Sequence, residues 1–174
     1  VTGWRNQAPA PLSVDQEYLV VLSKPLGTGV IMAGQMKLLS DGYAVDAAIA
    51  SMERSNAAAA KIFNDATSGA AWMTDVTGFG LARHAQNLVE RVGFTGVEIT
   101  LSDVPVISGA VALLASGVRS SLHDQNRAAV RYDETGLSAR QRVRAEIVFD
   151  PQTSGGLLAV LTPQTAHAAL RSLT

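Results

Sequence analysis

The chain has 174 residues, of which 47% are hydrophobic and 5% aromatic, and its formal net charge is −1 at pH 7. A chain of this length and hydrophobicity buries an aliphatic core, which excludes a disordered or fibrous protein. With no run of like charges, it offers no electrostatic basis for binding nucleic acid or an anionic membrane. The absence of cysteine excludes disulfides, thiolate metal sites and a cysteine nucleophile within this chain, and it is compatible with the cytoplasm, where we expect the protein.

The first part of the chain predicts one strand followed by helices. Residues 1–16, rich in Pro, Ala and polar side chains, are typical of a linker or irregular lead-in. The apolar, β-branched run over 18–23 predicts a strand, and Lys24-Pro25 ends it because proline cannot donate to a β-ladder. The other elements predicted here are a helix that follows Leu26-Gly-Thr-Gly29 and reaches Leu39, and alanine-rich helices from 44 to about 65, the second capped at Ser55 or Asn56.

The rest of the chain predicts short strands between helices. Residues 70–74 form a weak strand candidate, and apolar residues at helical spacing from Leu81 to Val92 predict a helix that ends at Gly93. Alternating apolar side chains predict strands over 97–101 and 143–149. The remaining predictions are a short helix over 108–115, an irregular and mobile loop over 117–142, a buried strand over 157–161 and a last helix over 163–172, with Thr162 as its cap.

The predicted order β-α-α-α-β-α-β-α-β-β-α favours an α+β fold, with helices packed against a mixed β-sheet, over strict βαβ alternation. No internal repeat or domain boundary is visible, so we expect a lead-in over 1–16 and a single domain over 17–174. No apolar run approaches the roughly 20 residues that a membrane-spanning helix needs. The chain begins with Val1 instead of Met, which is compatible with processing or with a piece of a longer protein.

The glycine-rich stretches do not match the common nucleotide-binding motifs. The chain contains no Gly-x-x-x-x-Gly-Lys-Ser/Thr, which excludes a P-loop. Gly27-x-Gly29 and Gly78-x-Gly80 both lack the third glycine of a dinucleotide fingerprint. Any phosphate chemistry must therefore use another scaffold.

Asp75 is the leading candidate for a functional residue. It follows a predicted strand and precedes Thr77-Gly78-Phe79-Gly80 and a helix N-terminus, a setting that suits a metal-bridged phosphate. The alternative is that Asp75 or Thr77 simply caps the helix, since both residue types are common caps.

A second stretch of similar composition is Asp150-Pro-Gln-Thr-Ser-Gly-Gly156. Asp-Pro often opens a turn, so we expect Asp150 to have a structural role in which its carboxylate bonds to nearby backbone amides. Thr153, Ser154 and Gly155 offer hydroxyls and an unhindered amide that could bind an anion, and a tight turn between strands is the alternative.

The remaining candidates favour ordinary structural roles. Lys24, at the edge of a third glycine-bearing loop, could meet a phosphate, but we favour a solvated surface lysine. The histidines share no metal-ligand spacing. We expect His84 to be a packed or capping residue, and His123 and His167 to lie on the surface.

Three loops taken together carry a family resemblance. Lys24-Pro-Leu-Gly-Thr-Gly29, Thr74-Asp-Val-Thr-Gly-Phe-Gly-Leu81 and Asp150-Pro-Gln-Thr-Ser-Gly-Gly-Leu-Leu158 resemble, in the same order, signatures of the C-terminal half of selenophosphate synthetase (selenide, water dikinase). The resemblance extends from about Tyr18 to the end of the chain, and the last motif is specific within the wider group of aminoimidazole ribonucleotide synthetase-like enzymes.

The resemblance implies an α+β domain that covers the active site of an N-terminal ATP-binding domain, in an enzyme that converts ATP, selenide and water into selenophosphate, AMP and phosphate. It implies that Asp75 is a ligand of Mg²⁺ and, more loosely, that the closed site is lined by Thr77, Gly78, Thr153, Ser154 and Gly155. It also implies a cytoplasmic homodimer as the full-length enzyme.

One departure from the family is the lack of its reactive Cys or selenocysteine, the neighbouring Lys and the other metal-binding aspartates, which belong to the N-terminal half. We therefore expect a C-terminal domain that has no catalytic residue of its own and is inactive alone. Two alternatives stay open, namely a non-catalytic binding or interaction module of the same fold, and a related ATP-using maturation enzyme, against which the Asp-Pro-Gln-Thr-Ser-Gly-Gly stretch argues.

Overall fold

The computed structural model describes residues 12–13, 15–65 and 72–173. Over these residues the chain forms three short β-strands and eight α-helices, with one 3₁₀ helix near the end. The elements are β1 (Leu19–Leu22), α1 (Thr28–Met36), α2 (Gly42–Glu53), α3 (Ala57–Asn64), β2 (Trp72–Asp75), α4 (Gly80–Arg91), α5 (Ala110–Ala115), α6 (His123–Ala128), α7 (Ala139–Ala145), the 3₁₀ helix Glu146–Phe149, β3 (Leu157–Leu161) and α8 (Pro163–Leu173).

The three strands form one sheet in the order β1-β3-β2, and both pairings are antiparallel. The α+β class is confirmed. The sheet itself is antiparallel, and a parallel pairing among the described residues is limited to the single bridge between Leu26 and Val106, outside the named strands. The central strand β3 consists of five apolar residues, as expected for a strand that is covered on both faces.

The alternation of side chains along β3 divides the core between the two faces of the sheet. Leu158 and Val160 face the larger hydrophobic cluster, which includes residues of α1, α4 and α5. Ala159 and Leu161 face a smaller cluster built around Phe63 of α3 and residues of α8. Helices therefore cover both faces of the sheet. The loops that join these helices to the strands lie at the ends of the sheet.

Several predicted helices and their boundaries are confirmed. In α4 the predicted apolar face is buried, including Leu81, Ala85 and Leu88. Ser55 accepts a hydrogen bond from the amide of Ala57, which confirms that a new helix starts at this point. The strands predicted over 18–23 and 157–161 correspond to β1 and β3. The strand predicted over 70–74 corresponds to β2, although 70 and 71 lie outside the described residues, as does most of the predicted lead-in.

The predicted strand over 97–101 is wrong. Val97 and Ile99 are half-buried and Glu98 is exposed, as the alternation predicts, but no ladder pairs this extended segment among the described residues. Instead, the Arg144 guanidinium donates to the carbonyls of Leu101 and Val104 at 2.7 and 3.0 Å. Side-chain contacts thus replace strand pairing, which sequence alternation alone cannot reveal.

The predicted strand over 143–149 is also wrong, because these residues form the end of α7 and the 3₁₀ helix. The helix begins at a capping box, in which the Ser138 hydroxyl accepts from the Gln141 amide and the Gln141 side chain accepts from the Ser138 amide. This cap lies inside the stretch 117–142, which was predicted to be irregular and in fact contains α6 and the start of α7.

None of the described helices combines the length and the apolar character that crossing a lipid bilayer requires.

Candidate functional site

The three glycine-bearing loops lie together at one end of the sheet. We call them the first loop (residues 24–29), the second loop (75–80) and the third loop (150–156). The Val76 amide donates to the Gly156 carbonyl at 2.9 Å, and the Gln152 amide donates to the Thr77 carbonyl at 3.1 Å. The second and third loops are therefore joined by backbone hydrogen bonds, which follow directly from the antiparallel pairing of β2 and β3.

Lys24 links the first loop to the third. Its side chain is 4% exposed, and its Nζ donates to the carbonyls of Ser154 at 2.8 Å and Arg54 at 2.6 Å. The prediction of a solvated surface lysine is wrong, because a charged ammonium can be buried when backbone carbonyls replace its water. Burial, with a smaller contribution from the Arg54 charge, lowers the pKa of Lys24 below its ordinary value.

Asp75 is the last residue of β2, and its Cα lies opposite that of Leu157. Its side chain is half-buried, and no hydrogen bond or ion pair engages its carboxylate oxygens among the described residues. Helix α4 begins at Gly80 with Phe79 as N-cap and without a side-chain capping bond, so neither Asp75 nor Thr77 caps it.

His84 takes over the task of holding the helix entry. Its Nε2 accepts a hydrogen bond from the Thr77 amide at 3.1 Å, so this nitrogen carries no proton and the ring packs α4 against the backbone of the second loop. Burial lowers the pKa of His84, and the nearby Asp75 charge opposes that shift. The prediction of a packed or capping histidine is confirmed.

The other two histidines differ from each other. His167 is exposed, as predicted. His123 is fully buried, so its predicted surface position is wrong, and its Nε2 lies 2.8 Å from Glu146 Oε2. The polar residues of 117–142 had suggested an exposed loop, whereas α6 turns this side chain inward.

Asp150 is fully buried at the beginning of the third loop. Burial raises its pKa to about 7, while the amides of Val30 and Gly29, the Gln152 side chain and the Arg119 charge oppose the rise. Its Oδ1 lies without a hydrogen-bond partner among the described residues. Asp150 therefore has a structural role near the amides at the N-terminus of α1, but the side-chain hydrogen bond of its carboxylate among the described residues comes from Gln152 Nε2, at 3.0 Å from Oδ2.

The glycines of the third loop permit close packing of backbones. A Cβ on Gly155 would overlap the Val76 carbonyl oxygen, and one on Gly156 would lie 2.6 Å from the Lys24 amide nitrogen. The space that a side chain at position 155 would need is thus filled by the second loop. These glycines serve contacts between the loops.

The predicted lining residues occupy different environments. Thr77 and Gly78 are half-buried, Thr153 and Ser154 are exposed, and Gly155 is buried. Thr77 is joined to the third loop through Gln152, so the structure brings both groups of lining residues to the same end of the sheet. Whether they line a bound nucleotide stays a prediction.

A magnesium ion would find one suitable side chain here. The described residues contain no group of three or more His, Asp or Glu side chains that could hold a metal. Magnesium in phosphate-transferring sites commonly uses one or two carboxylates together with water and substrate phosphates. Asp75 fits such a site as a single ligand.

Two residues that support these loops were missed in the sequence. Asn126 is buried, and its Nδ2 donates to the carbonyls of Gly78 at 2.9 Å and Phe149 at 3.0 Å. Gln152 is buried between all three loops. Gln152 stands inside a motif and could have been noticed there, whereas nothing in the polar stretch around Asn126 indicated its contacts.

Comparison with known proteins agrees with this arrangement. The family model described as AIR synthase related protein, C-terminal domain, matches residues 17–174. The chain belongs to this family. A selenide, water dikinase of Desulfitobacterium hafniense (strain DSM 10664 / DCB-2) is 33% identical, over 98% of this chain and 47% of the relative. Those of Geobacter metallireducens (strain ATCC 53774 / DSM 7210 / GS-15) and Burkholderia pseudomallei (strain K96243) are 39% and 36% identical, each over 87% of this chain.

The domain therefore comes from the selenophosphate synthetase branch of the family, as its three loops indicated. The chain spans about half the length of the curated relatives it matches, between 42% and 47% in these three cases.

Proposed function

We propose that this chain is the C-terminal domain of a selenide, water dikinase, which converts ATP, selenide and water into selenophosphate, AMP and phosphate. The chain's membership of the family and the printed names of its relatives support this proposal. The parts that bind ATP and carry the reactive residue would come from an N-terminal half, since this chain covers less than half of each of those relatives.

Within that enzyme, Asp75 would contribute one carboxylate oxygen to a magnesium ion. When bound, the ion neutralises phosphate charge during phosphoryl transfer. The task of this chain is to keep that carboxylate in place, and β2 pairing on one side and the His84–Thr77 contact on the other both restrict the backbone around it. Thr77, Gly78, Thr153, Ser154 and Gly155 would line the closed site.

The observation that carries the proposal is the environment of Asp75. A half-buried carboxylate at a strand end, without a hydrogen bond or ion pair among the described residues, has no structural task that the fold reveals. A carboxylate that stands at the end of β2, beside the glycine-bearing loops, and keeps access to solvent is of the type that magnesium binds.

The proposal is tested by comparing this chain with the full-length protein that contains it. AMP formation is measured by chromatography with ATP and magnesium present, with and without selenide. We expect selenide-dependent AMP from the full-length protein and none from this chain. A full-length protein that makes no selenide-dependent AMP would favour the non-catalytic module, and turnover by this chain alone would contradict the need for a second half.

A further inference from the structure

The Gln152 side chain connects the first and third loops through hydrogen bonds at both ends of its amide group. It is 4% exposed. Its Oε1 accepts from the amides of Gly27 at 3.0 Å and Thr28 at 3.2 Å, and from the Thr28 hydroxyl at 3.1 Å. The amide oxygen therefore holds the start of α1.

The other end of the same side chain holds the third loop. Gln152 Nε2 donates to the Asp150 carbonyl at 2.8 Å and to Asp150 Oδ2 at 3.0 Å. A flipped amide would place Nε2 against the amides of Gly27 and Thr28 and Oε1 against the Asp150 carbonyl, which fixes the orientation of the side chain.

The backbone of the same residue reaches the second loop, since the Gln152 amide donates to the Thr77 carbonyl at 3.1 Å. The Thr28 hydroxyl, which donates to Oε1, also accepts from the Thr153 amide at 3.0 Å. Gln152 thus contacts all three loops. Its partner in the second loop, Thr77, lies two residues after Asp75.

We propose that Gln152 is a positioning residue that sets the relative placement of the three loops and thereby the orientation of Asp75. That the positioned group is a metal-binding acid rests on the proposed function. The side-chain hydrogen bonds of Gln152 to Gly27, Thr28 and Asp150, which we call the clamp, do not depend on that function. The clamp requires a side chain of this length that both donates and accepts hydrogen bonds.

Gln152→Glu gives this requirement a specific signature. Glutamate keeps the shape and the acceptor, but loses the donor and places a second carboxylate against buried Asp150. Two adjacent carboxylates share one proton and titrate as a pair, with the second proton held to a higher pH. While that proton is present it replaces the lost Nε2 donor, so the clamp in the variant should close at low pH and open as the pH rises.

The charged groups around this pair define the pH range. Asp150 has its pKa raised to about 7 before any substitution, and Arg119 is the cation that opposes the rise. Arg119 lies outside the three loops, is partly exposed and stands 3.6 Å from Glu146 Oε2, whereas Lys24 is a buried cation of the first loop and is held by the Ser154 carbonyl. In Gln152→Glu the second carboxylate raises the pKa of the last proton of the pair above the pKa of Asp150 in the unaltered protein. The exchange rates of Gln152→Glu and of the unaltered protein should therefore differ between about pH 7 and 9.

The experiment measures amide hydrogen exchange at Gly27 and Thr28 in this chain, and turnover of the full-length protein, at pH 6 to 9. In Gln152→Glu we expect exchange at both amides to rise about tenfold or more above pH 8 and to return close to the unaltered rate at pH 6. Turnover should follow the same curve. The control is Gln164→Glu, the same chemical change at an exposed position of α8, which should leave both curves unchanged.

The two proposals fail separately. Exchange and turnover in Gln152→Glu that match the unaltered protein at every pH would overturn the clamp. Altered exchange in a full-length protein that has no selenide-dependent turnover would support the clamp and contradict the proposed function.

If Gln152→Glu does not fold, Thr28→Val and Thr28→Ser provide the test. Thr28→Val removes the hydroxyl that joins Oε1 to the Thr153 amide, and Thr28→Ser keeps it. We expect faster exchange at Thr153 in the valine variant only, and equal rates in both would overturn the proposal.

Discussion

The second and third loops have similar compositions and opposite environments. Each starts with an aspartate and continues with hydroxyl residues and glycines. Asp75 is half-buried, and its carboxylate oxygens have no hydrogen bond among the described residues, whereas Asp150 is fully buried with a pKa of about 7. The second loop exposes Phe79 at 62%, while the third loop places Gly155 and Gly156 against other backbones.

The difference teaches that position relative to the sheet, more than composition, decides what such a loop can do. The third loop leads into the central strand β3 and must fit between the first and second loops. The second loop follows the edge strand β2, and its residues Gly78 and Phe79 have free space beside them. A motif that identifies a family can therefore be largely structural, and we propose the chemical role for the second loop instead.

We expect the largest effect, a loss of turnover, from Asp75→Asn in the full-length protein. This variant would sharpen the comparison between the two loops. The change is nearly isosteric but removes the negative charge that a metal needs. We expect turnover to fall about a thousandfold, equivalent to about 4 kcal/mol of transition-state stabilisation, with an unchanged thermal midpoint. The control is Asp46→Asn, at an exposed position of α2, and near-normal turnover in Asp75→Asn would remove the metal role.

Paired glycine substitutions compare the packing of the two loops. A Cβ on Gly155 would overlap the Val76 carbonyl oxygen, while one on Gly78 would meet nothing within 4 Å. We expect Gly155→Ala to lower the free energy of unfolding by about 3 kcal/mol and Gly78→Ala by less than about 1 kcal/mol. Urea denaturation of both variants measures this, and equal losses would show that the third loop is no more tightly packed than the second.

Asp150 should make the stability of the fold depend on pH. Its pKa in the folded protein is raised to about 7, so the folded state binds the proton more tightly than the unfolded state. The contribution of Asp150 to stability is then largest at low pH and falls as the pH rises from about 4 to 7, by about 2 to 3 kcal/mol, which is below the ~4 kcal/mol of a full three-unit shift. Asp150→Asn should flatten that fall in urea titrations, and an unchanged slope would mean that Asp150 is ionised throughout.

The smallest expected effect concerns the exposed tip of the third loop. Ser154 has φ of 47°, a left-handed conformation that costs a non-glycine residue free energy. Ser154→Gly should therefore raise the free energy of unfolding by about 0.5 to 1 kcal/mol. Thr153→Gly serves as the control, because Thr153 has no positive φ, and it should destabilise slightly; a loss in both variants would speak against strain at Ser154.

Local patterns in the sequence were sufficient for the parts of the fold that depend on near neighbours. The helical spacing from Leu81 predicted α4, the run over 157–161 predicted β3, and Ser55 predicted the start of α3. The position of Asp75 at a strand end followed from the same patterns.

What could not be predicted depends on contacts between distant segments. Alternation over 97–101 suggested a strand, but Arg144, more than 40 residues later, holds the Leu101 carbonyl instead. Lys24 is buried because Ser154 supplies a carbonyl from 130 residues away. Gln152 bonds to Gly27 across 125 residues. Such partners are visible only once the loops have been brought together.

The packing of the third loop also limits where it can vary. Asp150, Gln152, Gly155 and Gly156 are all buried, and each is held against another loop. Thr153 and Ser154 are the two residues of this loop with exposed side chains. Selection or design can therefore vary this loop most freely at Thr153 and Ser154. Substitutions elsewhere in the loop must be accompanied by changes in the residues that pack against it.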